Sequence, residues 1–267
     1  ILIHTPSWEE HLNAIEQVLL RLDKFGLQYN PAKAQLGRKE VKMLGHIVCA
    51  EGLRPDPDTV QSIKEYPAPK CPNDVQRFLG LAGFCRKFIP QYADIAIPMT
   101  NLLKGTAVWH WGIEEHSAFE KLKEAISKAT TLKLPDVTKP FELHCDASGF
   151  ALGAVLAQWD DETQTVRPVA FASKKLSEVE VRKHATTMKE CLAVVWAVEK
   201  FQTYLKGTEF TVYTDHKALK YLLSKQDLNQ QLLRWVLKLQ EFKFEIEYRK
   251  GINHSHADAL SRIGAVE

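Results

Sequence analysis

At 267 residues, 45% of them hydrophobic and 25% charged, the chain has material for one large domain or two ordinary ones, and wholesale disorder is excluded. No apolar run reaches the ~20 residues of a membrane span, and the N-terminus lacks a signal-peptide order, so an intracellular protein with no membrane partner is expected. Net charge is only +2, and basic and acidic residues balance after residue 140, so composition alone does not point to nucleic acid.

The opening Ile1-Leu2-Ile3-His4 reads as a strand entered in mid-course, and the chain as a piece of something longer. Ser7 and Glu10 form a capping-box pattern ahead of Leu12, Ile15, Val18, Leu19 and Leu22, which recur at helical spacing until Gly26 supplies a left-handed stop. Short strands are expected at Leu27–Tyr29 and Lys42–Val48, the second turning at Glu51-Gly52. Prolines 55, 57, 67, 69 and 72 bracket a short helix near Thr59–Glu65. Asn73 then caps a longer helix carrying Val75, Phe78, Leu79, Ala82 and Phe84. Pro90 and Pro98 are read as breaks. A charged helix over His116–Ser127 leads to Pro135 and Pro140, which read as a linker between a mostly helical first domain (1–130) and a second (138–267).

The second segment changes character. Phe141–Asp146, Ala151–Gln158 and Val166–Ser173 read as three strands joined by tight turns at Ser148-Gly149 and Asp160-Asp161-Glu162. A long helix follows over Thr186–Leu205, stopping at Gly207. Phe210–Thr214 is a fourth strand, Lys217–Leu223 a helical stretch, Leu228–Gln240 a helix, and Phe242–Tyr248 a fifth strand with strict alternation. A last helix begins near His256. This order implies an α/β fold with a five-stranded mixed sheet and flanking helices, its first three strands a meander and the others added by crossovers.

Five cysteines (Cys49, Cys71, Cys85, Cys145, Cys191) with no C-x-x-C pair read as reduced core thiols, and a zinc site joining Cys191 to His184 or His254 fits no standard spacing. The acids are more telling. Asp146 and Asp215 end strands, Glu190 sits in the first turns of the long helix, and Asp258 lies just inside the last helix. Strand ends of this kind converge on one crevice. Each like-charge pair at ~4 Å costs on the order of 4 kcal/mol at an effective dielectric of 20. Without cations one acid would keep its proton, whereas two divalent ions ~3.5–4 Å apart remove the cost and create a phosphoryl-transfer site. All-oxygen ligands favour Mg²⁺, with Mn²⁺ able to substitute. Singly, each acid reads as well as a helix cap or a solvated turn residue: Asp215 ahead of Lys217–Leu223, Asp258 at its own helix dipole.

Motifs narrow the choice. Leu143-His-Cys-Asp146-Ala-Ser-Gly-Phe-Ala-Leu-Gly-Ala-Val-Leu156, Pro168-Val-Ala-Phe-Ala-Ser-Lys-Lys-Leu176, Lys189-Glu190-Cys-Leu-Ala-Val-Val-Trp-Ala197, Tyr213-Thr-Asp215-His-Lys and Asn253-His-Ser-His-Ala-Asp258-Ala-Leu-Ser-Arg262 fall in one order over about 120 residues. Together they resemble the RNase H domain of gypsy-type LTR retrotransposon Pol polyproteins. Trp8-Glu-Glu-His-Leu12, Leu44-Gly-His-Ile-Val48, Gly52-Leu-Arg-Pro-Asp56 and Phe78-Leu-Gly-Leu-Ala-Gly83 resemble the palm end, primer-grip hairpin and thumb of the adjoining reverse transcriptase.

The resemblance implies an RNase H-like sheet preceded by a thumb and connection segment, and a metal-dependent endonuclease that cuts the RNA strand of RNA–DNA hybrids. Asp146, Glu190, Asp215 and Asp258 fall on the family's four metal-binding and catalytic acids, serving two Mg²⁺ ions. Implied partners are the hybrid and the rest of the polyprotein, with a homodimer left open, in a cytoplasmic particle or the nucleus. Lys70, Arg77, Arg86 and Lys87 are candidate phosphate contacts, although Arg86 and Lys87 read equally well as solvated surface. His254 and His256 fall in the loop where some RNases H move product with a histidine. Two departures stand out: Thr187-Met188-Lys189-Glu190 differs from the usual Thr-Glu-Lys-Glu, and His184 replaces a usual aromatic as core filler. The polymerase's paired aspartates are expected before Ile1, so this chain lacks that active site. Competing readings are a domesticated or inactive nucleic-acid-binding module, and a transposase or integrase, which the ending through Arg262 disfavours.

Overall fold

The computed structural model describes residues 1–216 and 230–249. Contacts divide the chain into Ile1–Val41 and Lys42–Glu267, described in turn.

In the first unit, α1 (Trp8–Lys24) starts as its capping box directs: Ser7 Oγ accepts from the Glu10 backbone N–H at 3.3 Å and donates to Glu10 Oε1 at 3.2 Å. Gly26 follows with φ 65°. The strand expected at Leu27–Tyr29 is absent; Asn30 instead caps a single 3-10 turn, Pro31–Lys33. A three-residue apolar alternation without a partner strand has nothing to pair with, and Pro31 favours the turn.

The second unit opens with a three-stranded sheet in the order β1 (Glu40–Met43, across which the division falls), β2 (His46–Cys49) and β3 (Gly52–Pro55). β2 and β3 form an antiparallel hairpin from His46↔Pro55 to Cys49↔Gly52. Gly52 has φ 135°, and a Cβ there would stand 1.9 Å from the Leu132 carbonyl oxygen, so only glycine permits the close pairing in which Leu53 and Leu132 exchange two 2.8 Å backbone bonds.

Four helices follow: α2 (Pro57–Lys64), α3 (Pro72–Gly83), α4 (Tyr92–Asn101) and α5 (Ile113–Ser127). Two sequence expectations are corrected. The N-cap of α3 is Cys71, not Asn73, because Pro72 already occupies the first helical position, where its missing N–H costs nothing. Pro98 lies inside α4 instead of breaking it; burial of Ala93, Ala96 and Met99 on one face outweighs the lost backbone bond.

The main sheet comprises β4 (Phe141–Ala147), β5 (Ala151–Asp160), β6 (Thr165–Lys175), β7 (Glu209–Thr214) and β8 (Lys243–Tyr248), in the order β6-β5-β4-β7-β8. β4–β5 and β5–β6 are antiparallel, β4–β7 and β7–β8 parallel, so the expected meander with crossovers is present. Between them run α6 (Glu178–Lys183), which the sequence reading did not foresee, α7 (Thr186–Lys200), α8 (Gln202–Leu205) and α9 (Gln230–Leu239). The single helix expected over Thr186–Leu205 divides at the buried Phe201. The expected helices at Lys217–Leu223 and from His256 lie outside the described residues.

Two apolar clusters hold this unit. One face of the sheet (Phe141, Leu143, Leu152, Ala154, Leu156, Phe210, Val212) packs on Val194, Val195 and Val198 of α7. On the other face, Val155, Ala157 and Phe171 join Phe78, Phe88, Phe119 and Leu122 from the preceding helices. Successive residues of β5 therefore enter different cores, as the two-residue period of a strand requires. Packing thus continues through the proline-marked stretch near 135, because α2–α5 cover the back of β5 and β6.

Asp160, at the end of β5, is buried and gathers Lys133 at 2.9 Å, Arg167 at 3.1 Å and the Thr163 hydroxyl at 2.9 Å; the lysine foremost holds its carboxyl well below the usual carboxylate range. Replacing Asp160 by Ala strands two cations and is expected to cost about 3 kcal/mol in urea unfolding at pH 7. The parent's contribution from this group is fully present above the ordinary carboxylate pKa and falls away as acid protonates it, so the difference between parent and variant should shrink below pH 4.

Candidate metal centre

Three of the acids expected to act together do meet. Asp146 lies near the end of β4, next to β5 through the Asp146↔Gly153 pair. Asp215 follows the last residue of β7, the strand parallel to β4 on its other side. Glu190 is in the second turn of α7, whose buried face crosses β4. Each offers a carboxylate oxygen such that all three lie within 4.8 Å of one another.

Their environments differ. Asp146 and Asp215 are exposed, whereas Glu190 is 5% exposed and its Oε2 has no hydrogen-bond partner among the described residues. Burial, then the charges of Asp146 and Asp215, push the Glu190 carboxyl up to about 8, opposed only by a bond from the Ala147 backbone N–H. The floor beneath is dry: burial also raises the neighbouring thiol of Cys145, and that of Cys191 to about 12. An orphaned, buried carboxylate oxygen beside two further carboxylates fits a hard divalent cation, which supplies the missing partner and removes the repulsion.

Second interactions hold the three supports. The His216 ring Nε2 lies 2.8 Å from Thr187 Oγ1, and the His216 backbone N–H donates to Thr214 Oγ1 at 3.2 Å, linking the end of β7 to the start of α7. Lys189 Nζ donates to the Gly149 carbonyl at 3.0 Å, linking α7 to the turn after β4. In that turn Ser148 Oγ accepts from the Ala151 N–H at 2.9 Å and donates to Asp94 of α4 at 2.7 Å. The sequence reading missed Asp94, since nothing local marks an acid in a helix 54 residues before Ser148 as its partner.

The remaining candidates fare differently. Asp258, His254 and His256 lie outside the described residues. Arg86 donates to the Ser173 carbonyl and stands 5.3 Å over the Tyr92 ring, and Lys87 is half-buried beside it. Lys70 and Arg77 are exposed at the start of α3, where Asp74 accepts from the Lys70 backbone N–H and faces Arg77 at 4.0 Å. Neither joins the acids. His184 is half-buried, 6.0 Å from the Trp235 ring and edge-on to it, as a packing residue would be.

A mixed sheet in this order, with acids at the ends of β4 and β7 and on α7, defines an RNase H-like fold. Residues 136–242 match the family model of the RNase H-like domain found in reverse transcriptase. The chain is 42% identical over 264 residues to a retrovirus-related Pol polyprotein from transposon 297 of Drosophila melanogaster, covering 98% of this chain and 24% of that protein. It is 34% identical over 267 residues to the transposon Tf2-3 polyprotein of Schizosaccharomyces pombe, covering 98% and 20%. A foamy viral protease-reverse transcriptase solved in complex with an RNA/DNA hybrid superposes with a TM-score of 0.78 at 23% identity, over 93% of this chain and 34% of that one, which is a likeness of fold. The chain belongs to the LTR-retrotransposon Pol polyproteins and carries their RNase H region, spanning about a quarter of the length of the Drosophila relatives.

Because Glu190 binds its proton more tightly folded than unfolded, its contribution to metal-free stability is full below pH about 4.5 and declines as pH rises towards 8. Urea unfolding in EDTA should show a loss on the order of a few kcal/mol between pH 5 and pH 8. Glu190→Gln should flatten that dependence, and millimolar Mg²⁺ or Mn²⁺ should restore the parent at pH 8.

Proposed function

We propose that the chain is a metal-dependent endonuclease that hydrolyses the RNA strand of RNA–DNA hybrids within a retroelement reverse transcriptase. The observation that carries this is the buried Glu190 oxygen, without a hydrogen-bond partner among the described residues, converging with Asp146 and Asp215. A purely structural acid at that position would be hydrogen-bonded or replaced by an amide.

Asp146, Glu190 and Asp215 would hold divalent ions, with Asp258 completing a second position as the family resemblance implies. Ions bound there would lower the pKa of an attacking water and offset charge on the leaving oxygen. The chain's own part is to hold the three carboxylates in fixed positions. Both strand ends are locked into the sheet, and α7 is tied to each of them by His216–Thr187 and Lys189–Gly149. The apolar floor of Cys145 and Cys191 raises the cost of leaving Glu190 charged without a cation, which favours metal binding. Hydrolysis at a phosphodiester would break the P–O3′ bond, leaving a 3′-hydroxyl and a 5′-phosphate. The exposed rims at Asp146 and Asp215 leave the site open to a duplex read by its shape, phosphates and 2′-hydroxyls.

Incubation of a 5′-labelled RNA–DNA hybrid with the chain and Mg²⁺ or Mn²⁺ tests this. RNA alone should be cut. Asp146→Asn or EDTA should lower the rate at least a hundredfold, on the order of 3 kcal/mol in barrier. Cleavage unchanged by Asp146→Asn, or no cleavage with either metal while hybrid binding persists, would refute the nuclease.

A further inference from the structure

Away from the acids, a groove of about 660 Å³ opens between the turn before α4, the end of β6 and the last turn of α7. Its walls carry Arg86, Lys87, Lys174, Lys175 and Lys200, and no carboxylate lines it. Three of these cations are held by polar groups, and Lys87 Nζ stands 5.4 Å over the Phe88 ring. Arg86 holds the Ser173 carbonyl, Lys174 pairs with Glu180 at 3.1 Å, and Lys175 donates to Thr100 and Asn101. Lys87 and Lys200 have no carboxylate within ion-pair distance among the described residues. Lys87 is half-buried, and burial lowers the pKa of its ammonium, the cost of holding a cation without a counter-charge.

Aromatic surface lies in the same groove. The Phe84 ring is 63% exposed, and Trp196 presents a half-buried edge. Cations that track a backbone, interleaved with exposed rings on which bases stack, are the chemistry of single-strand recognition. The volume is that of a pocket for a small ligand, on the scale of part of one strand.

We propose that this groove is a second nucleic-acid site, binding a single strand of RNA or DNA through phosphate contacts to Lys87 and Lys200 and stacking on Phe84. It is separate from the carboxylate centre and needs no metal, and it stands whether or not the chain cleaves hybrids. An acidic peptide would satisfy the lysines equally but would leave the exposed ring without a stacking partner. Nucleic acid is therefore the occupant the lining favours.

Fluorescence anisotropy with labelled (rU)12 and (dT)12, using the full chain in EDTA across a salt series, tests the proposal. Lys87→Ala/Lys200→Ala should weaken binding about tenfold and reduce the slope of log K against log[salt] by about 1.4, the loss of two single-strand phosphate contacts. Phe84→Ala, at an exposed position where folding is little affected, should weaken binding severalfold and leave that slope unchanged. Affinity and slope unmoved by the lysine substitutions would overturn the proposal. So would displacement of the oligonucleotide by polyglutamate at matched charge. Asp146→Asn separates the two sites: it should leave oligonucleotide binding intact while cleavage is lost, so failure of either reading shows independently of the other.

Discussion

Burial of β5 and β6 on both faces is the constraint on which the rest of the second unit depends. Leu152, Ala154 and Leu156 face α7, while Val155, Ala157 and Phe171 face the earlier helices. A strand covered on one side alternates apolar with polar; this one cannot, and β5 carries small and apolar residues almost without interruption. The consequence reaches the acids. With both faces covered, the sheet is held rigidly enough to set Asp146 and Asp215 on neighbouring parallel strands, and α7 is seated so that Glu190 points at their ends.

Electrostatics works against packing at that edge. Three carboxylates within 4.8 Å, one with a buried oxygen lacking any partner among the described residues, would not be retained for stability. The cation pairs around Asp160 show the opposite solution, in which Lys133 and Arg167 neutralise a buried acid from within the chain. One sheet therefore displays both ways of accommodating buried negative charge. The group with no neutralising cation among the described residues is the one placed at converging strand ends, where sites collect.

Most of this was legible in the residues. Period-two alternation marked β4 and β8, and a run of small apolar residues marked β5; the acids at the strand ends, Asp146 and Asp215, and Glu190 on α7 could be read as a group, and the ordered motifs then singled out RNase H. Long-range packing was not legible. Pro98 suggested a break because local sequence does not report that Ala93, Ala96 and Met99 are buried against distant elements. Asp94 was invisible as a support of the Ser148 turn for the same reason, since 54 residues of chain separate the two. The stretch at Pro135 and Pro140 read as a linker between two domains; its tie to the sheet through Gln158, which bonds the Asp136 and Lys139 carbonyls at 2.7 and 3.1 Å, was not legible.

The glycine at 52 acquires a meaning from this arrangement. Its missing side chain lets the hairpin of β2 and β3 clasp Leu132, closing the helices against the back of the sheet. The family match begins at residue 136, beyond the helices that cover this face. A piece cut at that point would present Val155, Ala157 and Phe171 as a sticky patch, prone to self-association in solution.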